Sequence, residues 1–374
     1  MNILALEPYY GGSHKAFLDG WAKRSRHEWT LLTLPPRKWK WRMRHASVTF
    51  AGEAARRAAS GETWDLVFCS DMLDLAAFLG LAPAPVKILP SLVYFHENQI
   101  TYPVRHASEF DYHFAFTNMT SALAASCVWF NSAFHRDSFL GGLEAFLVRM
   151  PDHQNLESVE AIRKKSRVRH PGIDPFPERG PRKPGPLRIL WSARWEWDKA
   201  PETFFRALDG LASEDVPFQL SVVGGGSGRN VEAVFEEARQ RFASRILRWG
   251  YLESREAYRE ALMESDVAVS TARHEFFGIS LVEATAAGAF PLVPRRLAYP
   301  EVFAGDEGEG KDSFFYEDDG RDLVRRLADL ARRVERDDLW QGDGKRGIRA
   351  VERFSWDRMV PAWDEEVEAM AATR

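Results

Sequence analysis

Strand-like and helix-like segments alternate along almost the whole chain, on both sides of one proline-rich stretch. Short apolar runs at 2–7, 127–131, 187–193 and 290–293 are each followed by a longer segment with helical periodicity. The helices predicted in the first half include 48–59 and 71–79. This alternation predicts an α/β fold with parallel sheets and right-handed helical crossovers. Ligands of such sheets bind at the carboxyl ends of the strands. Polar residues that directly follow a strand are therefore the first candidates for function.

The proline-rich stretch divides the chain into two parts. Residues 171–186 read PGIDPFPERGPRKPGP and contain six prolines. Proline fixes φ and lacks an N–H, so this stretch predicts a stiff, extended connector. We predict a Rossmann-like domain over 1–174, a linker over 175–186 and a second Rossmann-like domain over 187–374. The two domains would face a cleft, and the last helix, residues 356–370, would return to the first domain.

Charge is distributed unevenly between these parts. The 374 residues include 50 basic and 54 acidic side chains, a net charge of −4 that argues against a histone-like nucleic-acid coat. Residues 1–174 hold 20 basic and 17 acidic side chains, a net of +3, which leaves a net of −7 for the remainder. The first part also holds nine of the ten histidines. Two halves of different chemistry are therefore expected.

Several protein classes are excluded by composition. Two cysteines, Cys69 and Cys127, are too few for a disulfide scaffold or a four-cysteine zinc site. No apolar run approaches the roughly 20 residues that span a bilayer. The first residues lack the basic start and long apolar core of a signal peptide, so we expect a cytoplasmic protein. His106, His113 and His135 lack tight ligand spacing. No Asp-x-Asp pair follows a strand, and residues 317–320 are predicted to form a turn, so no metal site is predicted.

The sharpest local signal is a pair of glutamates, Glu275 and Glu283, around the start of a predicted helix. Eight residues at about 100° each end about 80° past two full turns, so both carboxylates can border one site. Between them, Phe277 and Gly278 lead into a helix that begins at Ile279, and a helix start attracts a diphosphate. The carboxylates could accept hydrogen bonds from sugar hydroxyls. The competing interpretation is one helix-terminal charge and one solvated glutamate.

Three further segments follow predicted strands in the second half. Arg194 and Lys199 suit a diphosphate, since arginine offers a planar fork and lysine a point charge; the alternative is a surface ion pair with Glu196 or Asp198. Gly224 opens a glycine loop, residues 224–228, which alone is weak evidence for nucleotide binding. The turn of Gly250, Tyr251 and Leu252 offers backbone groups that could read a nucleobase edge.

The first half contributes two polar segments at predicted strand ends. Gly12, Ser13 and His14 follow the first strand, and Ser13 is a candidate cap for the next helix. His96, Glu97 and Asn98 follow a buried strand predicted over 86–95. His96 could hydrogen-bond a sugar or steady the charge on reacting groups. The competing interpretation is a core histidine satisfied by backbone groups.

A basic and aromatic run follows Pro35 and Pro36. Its cations can meet phosphates, and its indoles can stack on unpaired bases. The alternative is a solvated loop or helix whose tryptophans pack inward. A second basic run, residues 163–170, is better explained as a solvated helix end. The members of the first run that we assign to a nucleic-acid acceptor are Arg37, Lys38, Trp39, Lys40, Trp41, Arg42 and Arg44.

The elements around Arg194, Gly224, Gly250 and Glu275, in this order and spacing, resemble the second domain of retaining family-4 glycosyltransferases with the GT-B architecture. The segments LEPYYGGSHK (6–15), YFHENQITYP (94–103), RWEWDK (194–199) and RLAYPE (296–301) narrow this likeness. Together they resemble the tRNA-queuosine alpha-mannosyltransferase family over nearly the whole chain. One departure is Trp197, where the family pattern leads us to expect histidine.

The resemblance implies a function and a set of roles. The expected reaction is retaining transfer of mannose from GDP-mannose to queuosine in a tRNA anticodon, in particular that of aspartate tRNA, with no cofactor required. Glu275 and His96 would be catalytic. The donor would be bound by Arg194, Lys199, Gly224, Gly250, Tyr251, Leu252, Phe277, Gly278, Ile279, Glu283 and Gly12. The acceptor would be bound by Ser13, His14, Glu97, Asn98 and the basic run.

Three other functions remain open at this level. A related glycosyltransferase could use another sugar nucleotide and a lipid or small-molecule acceptor, with Trp39 and Trp41 at a membrane surface. A GT-B nucleotide-sugar epimerase would turn over donor without any acceptor. In a different class, an RNA-binding protein could retain an inactive sugar-nucleotide site.

Overall fold

The structure is a computed structural model that describes residues 1–225, 229–304, 311–317 and 320–372. The chain divides into two compact units. Unit 1 comprises Met1–Asp174 and Phe354–Arg374, and unit 2 comprises Pro175–Arg353. Each unit contains a six-stranded sheet whose strand pairs are all parallel. The predicted pair of parallel α/β sheets is confirmed.

The sheet of unit 1 has the strand order β2-β1-β3-β4-β5-β6. Its central strands are buried along their whole length, as expected for a parallel sheet covered on both faces. The strands are β1 (Asn2–Glu7), β2 (Glu28–Thr33), β3 (Leu66–Ser70), β4 (Ser91–Phe95), β5 (Cys127–Phe130) and β6 (Ser166–Val168). The helices are α1 (Gly12–Ala22), α2 (Trp39–Ala59), α3 (Leu75–Leu81), α4 (Ala84–Lys87), α5 (Tyr112–Ala124), α6 (Ala133–Leu147) and α7 (Glu157–Lys165).

The last helix of the chain also belongs to unit 1. In chain order it is α14 (Trp356–Ala372), and it buries Trp356, Trp363 and Val367 in the core on one face of the first sheet. The indole of Trp21 donates a hydrogen bond of 3.0 Å to Asp364 on this helix. The predicted return of the last helix to the first domain is confirmed, so unit 2 ends at Arg353 and not at the chain terminus.

The sheet of unit 2 has the strand order β12-β11-β10-β7-β8-β9. Its strands are β7 (Leu187–Ser192), β8 (Phe218–Val223), β9 (Ile246–Gly250), β10 (Val267–Val269), β11 (Phe290–Pro294) and β12 (Phe315–Tyr316). Its helices are α8 (Pro201–Ser213), α9 (Arg229–Arg241), α10 (Arg255–Glu264), α11 (Ile279–Ala286), α12 (Gly320–Glu335) and α13 (Arg346–Val351). β7 lies at the centre of the sheet, so residues that follow it reach the middle of the carboxyl edge.

The proline-rich segment is anchored to unit 2. The guanidinium of Arg182 makes two hydrogen bonds to the carboxylate of Asp266, at 2.8 and 3.0 Å. Arg179 lies 3.4 Å from the same carboxylate and also donates to the carbonyl oxygens of Ser265 and Gly288. From Pro175 onward the stretch predicted as a connector is therefore part of unit 2.

Several local predictions differ from the structure. Helix α2 begins at Trp39 and not at Val48, so the basic run forms its first turns. Strand β4 begins at Ser91, because 84–87 form the short helix α4. Ser13 was wrongly predicted as a cap: Gly11 is the N-cap of α1 and no side chain caps that helix. The short strands β6 and β12 were not predicted.

Two predicted features fall partly outside the described residues. Of the glycine loop 224–228, residues 226–228 are not described, and of the turn predicted at 317–320, residues 318 and 319 are not described. Within the described part of the chain, no helix is both long and apolar enough to cross a bilayer.

Candidate functional site

Unit 2 gathers four charged or titratable side chains at the carboxyl edge of its sheet. This Glu275 cluster consists of Asp198, Lys199, His274 and Glu275. The ammonium of Lys199 lies 3.2 Å from Asp198 and 3.3 Å from Glu275, and it donates to the carbonyl oxygen of His274 at 2.7 Å. Lys199 is only 7% exposed. The sequence predicted Lys199 and Glu275 and gave Asp198 as an alternative ion-pair partner, but it did not indicate His274 as a neighbour.

The charges in this cluster support each other. Burial opposes the charged form of Lys199, but the carboxylates of Glu275 and Asp198 raise its pKa. Burial likewise favours a neutral Glu275, but the Lys199 ammonium and the Phe277 N–H hold the pKa of Glu275 below its usual value. Burial and the Lys199 charge lower the pKa of His274 to about 4, so this imidazole is neutral at pH 7. The cluster therefore holds an ammonium–carboxylate pair beside a neutral imidazole.

The backbone after Glu275 leads into a helix start. One oxygen of Glu275 accepts from the N–H groups of Phe276 and Phe277, at 3.1 and 3.4 Å. Gly278 has a φ of 88° and is the N-cap of α11, which has no side-chain cap. A Cβ at Gly278 would lie 2.8 Å from the ring of Tyr299, so glycine is required by space as well as by conformation. An uncapped helix start beginning at Ile279 beside an ammonium is suited to a diphosphate.

Glu283 lies on the second turn of α11 and is held from a neighbouring helix. The hydroxyl of Tyr258 on α10 donates to a carboxylate oxygen of Glu283 at 2.9 Å. Burial, together with the nearby Glu283 carboxylate, raises the pKa of Tyr258 well above its usual value, so the hydroxyl stays protonated. Ser280 on the same helix donates to the carbonyl oxygen of Ser192 at the end of β7. Tyr258 was not predicted as a site residue.

The other predicted donor residues border this edge with different exposure. Arg194 is exposed and lies 3.4 Å from Glu196, the ion pair that had been the alternative interpretation. A Cβ at Gly224, where φ is 140°, would overlap the carbonyl oxygen of Ala193, so the two loops touch through backbone. Gly250 ends β9, Tyr251 is 75% exposed and Leu252 is half-buried. The ring of Phe277 is buried, so only its backbone can meet a ligand.

Unit 1 gathers a second group of titratable side chains, the His14 cluster, which consists of Glu7, His14, Asp71 and His96. Glu7 ends β1, Asp71 follows β3 and His96 follows β4, so the parallel strands bring them to one edge. His14 Nδ1 lies 3.2 Å from Glu7 Oε2, and the rings of His14 and His96 are 4.0 Å apart between centroids. Glu7, His14 and His96 each offer one ligand atom, and these three atoms lie within 4.8 Å of one another. The three side chains can therefore hold a metal ion.

The members of the His14 cluster have strongly shifted pKa values. Burial opposes protonation of His14, but the carboxylate of Glu7 raises its pKa to about 9. Burial and the neighbouring His14 charge hold the pKa of His96 well below its usual value. Burial also raises the pKa of Asp71, with the His14 charge opposing it. Such perturbation at strand ends is typical of a functional site.

Hydrogen bonds fix the loop that carries His96, Glu97 and Asn98. Asp71 accepts from the N–H of His96 at 2.8 Å, and Asn131 donates to the carbonyl oxygen of His96 at 2.9 Å. Asn98 is fully buried, and its amide oxygen accepts from two backbone N–H groups of the same loop. Asn98 was predicted to contact the acceptor, but its buried amide shapes this loop instead. Glu97 is half-buried beside it, and Gly12 and Ser13 are exposed in the first turn of α1.

The basic run lies at the start of α2. Arg37, Lys38, Lys40, Trp41 and Arg44 are exposed, with Trp41 at 62%. Trp39 packs against Phe114 at 5.1 Å, so one tryptophan points inward as the alternative interpretation had it. Arg42 donates to the carbonyl oxygen of Pro35 and contacts His45, so it braces the loop. This helix start has several cations and no acidic residue. The cations interact unfavourably with the positive end of the helix dipole, and this arrangement indicates a role in binding anions.

The second basic run has mainly structural partners. It spans the end of α7 and β6 rather than a helix end alone. Lys165 donates to the carbonyl oxygens of Leu123 and Ala125, and Arg169 pairs with Glu366 of α14. Arg163 and Lys164 remain exposed.

The fold and the paired carboxylates and cations of unit 2 define a GT-B glycosyltransferase. Solved structures support the fold: sucrose-phosphate synthase from Thermosynechococcus elongatus has a TM-score of 0.70 at 16% identity, and the match covers 100% of both chains. HepE of Anabaena, solved in complex with UDP, has a TM-score of 0.66 at 14% identity, covering 99% of this chain and 100% of its own. Residues 173–339 match the family of group 1 glycosyl transferases.

The particular family follows from the other matches. Residues 2–173 match the family described as the tRNA-queuosine alpha-mannosyltransferase N-terminal domain. A Drosophila melanogaster protein named tRNA-queuosine alpha-mannosyltransferase is 32% identical over 97% of this chain and 95% of its own length. The chain therefore belongs to the tRNA-queuosine alpha-mannosyltransferase family, and it is a glycosyltransferase.

Proposed function

We propose that this protein transfers mannose from GDP-mannose to a cyclopentenediol hydroxyl of queuosine in a tRNA anticodon, with retention at the anomeric carbon. The observation that carries the donor side is the ion pair of the buried Lys199 with the half-buried Glu275 beside the uncapped start of α11. The acceptor and the sugar follow from family membership and from the relative's name. Since tRNA is the acceptor, we also propose that the reaction takes place in the cytoplasm.

The proposed chemistry uses charge already fixed in the protein. The bond between the anomeric carbon and the donor phosphate oxygen breaks, and Lys199, Arg194 and the N–H groups at the start of α11 stabilise the leaving diphosphate. The acceptor hydroxyl attacks the same face and its proton passes to the leaving phosphate oxygen, which retains the configuration. Glu275 orients the mannose and supports positive charge at the anomeric carbon. We assign positioning of the acceptor hydroxyl to His96, with Glu97 and His14 nearby.

The proposal is tested by incubating the purified protein with GDP-mannose and queuosine-containing aspartate tRNA. The tRNA is then digested and its nucleosides are weighed by mass spectrometry. The expected result is a gain of one hexose on queuosine, and none on tRNA that carries guanosine at that position. Transfer to another acceptor would instead indicate a related glycosyltransferase, and turnover of donor without tRNA would indicate an epimerase. Binding of tRNA without any donor binding would indicate an RNA-binding protein.

The basic start of α2 is proposed to bind the tRNA backbone. Replacing Lys40 and Arg44 together by Gln should weaken tRNA binding about tenfold or more, because two exposed cations that release counterions are lost. The slope of log affinity against log salt should fall by about 1 to 2. Binding measured across a salt series checks both values. These residues are preferred to Arg42, whose guanidinium braces the loop at Pro35.

The matched control is the Arg163→Gln, Lys164→Gln double variant. These residues are also an exposed basic pair in unit 1, but they lie on α7. The control should keep the wild-type tRNA affinity and salt slope. Equal losses in both double variants would mean that overall charge and not this helix start binds tRNA.

Tyr258 is proposed to hold Glu283 in position for the ribose hydroxyls of the donor. Replacing Tyr258 by Phe removes one hydrogen bond to a carboxylate, which corresponds to about 1.5–3 kcal/mol. GDP affinity should fall about 10-fold, and the preference for GDP over 2′,3′-dideoxy-GDP should shrink. Calorimetry with both nucleotides measures this. Tyr112→Phe, at an exposed tyrosine of unit 1, should change neither value; a Tyr258 variant with unchanged discrimination would refute the role.

A further inference from the structure

We propose that Glu7, His14 and His96 form a binding site for a divalent transition metal ion of the zinc class. Two imidazoles and one carboxylate are an established ligand set for such ions. The inference goes beyond the proposed transfer reaction, in which no step uses a metal. It also differs from the expectation from sequence, in which no metal site was predicted.

The distances suit coordination. Bonds of about 2.0–2.1 Å in a tetrahedral site separate two ligand atoms by about 3.3 Å. Glu7 Oε2 and His14 Nδ1 are 3.2 Å apart, and the three ligand atoms of the set lie within 4.8 Å of one another. Approach of a His96 ring nitrogen to an ion held by Glu7 and His14 would complete a three-ligand site. A fourth position would be left for water or another small ligand.

A plain ion pair between Glu7 and His14 does not account for the whole cluster. Nε2 of His96 and Oδ2 of Asp71 are both buried and have no hydrogen-bond partner among the described residues. Unsatisfied buried polar atoms are costly and rare in folded proteins. A cation held by Glu7 and His14 would also use the free nitrogen of His96. It would also be attracted by the nearby carboxylate of Asp71.

The surrounding charge favours a cation over an anion. The carboxylate of Glu7 lies 3.2 Å from His14 Nδ1, and the carboxyl group of Asp71 accepts from the N–H groups of His96 and Glu97 at 2.8 and 3.5 Å. A phosphate at this position would meet the same carboxylates and be repelled. The ligand at this point of unit 1 is therefore expected to be positively charged.

The proposed ligands are already held in orientation by neighbouring groups. The second oxygen of Glu7 accepts from the Ser70 hydroxyl at 3.0 Å and from the N–H of Tyr9 at 2.8 Å, which leaves Oε2 directed at His14. The backbone of His96 is fixed on both sides by Asp71 and Asn131. Such outer contacts are what ordered metal ligands require.

The test uses the full chain, stripped with a chelator and titrated with Co²⁺ and then Zn²⁺. The expected result is one equivalent of Co²⁺ with the visible absorption of a four-coordinate site, displaced by Zn²⁺. His14→Ala and His96→Ala should each weaken binding by more than about 100-fold, since even loss of an outer contact costs 10- to 100-fold. His113→Ala, at an exposed histidine of α5, should bind like the wild type.

Thermal unfolding in Zn²⁺ and in chelator gives a second measurement. Zn²⁺ should raise the melting temperature of the wild type and of His113→Ala, but not that of His96→Ala. Failure of the wild type to bind Co²⁺ at one equivalent would overturn the proposal. So would equal binding by the wild type and both ligand variants. If one alanine variant does not fold, the wild type, the remaining variant and His113→Ala still decide the outcome.

Discussion

Replacing Glu275 by Gln should lower the rate of mannose transfer about 100- to 1,000-fold while leaving tRNA affinity unchanged. The substitution keeps the size of the side chain but removes the negative charge that faces Lys199 and, in the proposed reaction, the anomeric carbon. Loss of one preorganised electrostatic contact to a transition state costs a factor of this size. The basic start of α2 belongs to the other unit, so tRNA binding has no reason to change.

Single-turnover kinetics with saturating GDP-mannose measure the effect on the chemical step. A filter or fluorescence assay measures tRNA affinity separately. The matched control is Glu214→Gln, at the exposed C-cap of α8, which should transfer mannose at the wild-type rate. A Glu275→Gln variant that keeps more than a tenth of the wild-type rate would contradict the assigned role.

Residues of both clusters could be found from sequence because ligands of parallel sheets bind at the carboxyl ends of the strands. This rule requires only that the end of each strand be predicted. Lys199 and Glu275 each follow a predicted strand of unit 2, and the structure brings them to 3.3 Å although 75 residues lie between them. His14 and His96 were found in the same way in unit 1 and lie ring to ring. The end of a strand is recognised in the sequence where an apolar run ends. Parallel pairing of the strands then places their carboxyl ends at the same edge of the sheet.

The partners of these residues were missed for physical reasons. Asp71 directly follows β3, but it was interpreted as the first residue of a helix. Tyr258 contacts Glu283 through space from one face of an amphipathic helix, and no sequence spacing records that contact. Glu7 carried a usable signal, since it is the charged last residue of an otherwise apolar strand. A buried charge at that position needs a partner, and that partner is His14.

The start of α2 was missed because its residues argue against a helix. Two prolines precede the helix, and a run of cations occupies its first turns. Lysine and arginine at a helix start interact unfavourably with the positive end of the helix dipole. Packing of Trp39 on Phe114 and burial of Met43 extend the helix against that preference. The tertiary contacts outweigh the unfavourable interaction with the helix dipole, and its cost is consistent with a surface kept for binding phosphates.

Asp266 holds the proline-rich segment against unit 2 through a concentrated set of contacts. Its carboxylate is buried and is approached by the guanidinium groups of Arg179, Arg182 and Arg188, while the N–H of Arg188 donates to it at 2.9 Å. Burial lowers the pKa of Arg179, and the Asp266 charge opposes that shift. Removing one member of a buried ion network leaves the remaining charges desolvated without compensation.

Replacing Asp266 by Ala should therefore destabilise unit 2 by about 3–5 kcal/mol. Urea unfolding of the full chain, followed by tryptophan fluorescence, measures the change as a lowered midpoint for the transition that includes Trp191. The matched control is Asp209→Ala, which removes a half-exposed carboxylate paired with Arg241 and should cost no more than about 1 kcal/mol. If both variants unfolded at the same urea concentration, the segment after Pro175 would not be anchored by Asp266. The larger loss expected at Asp266 arises because three arginines there share one carboxylate, whereas water replaces the partner of Arg241 at the surface.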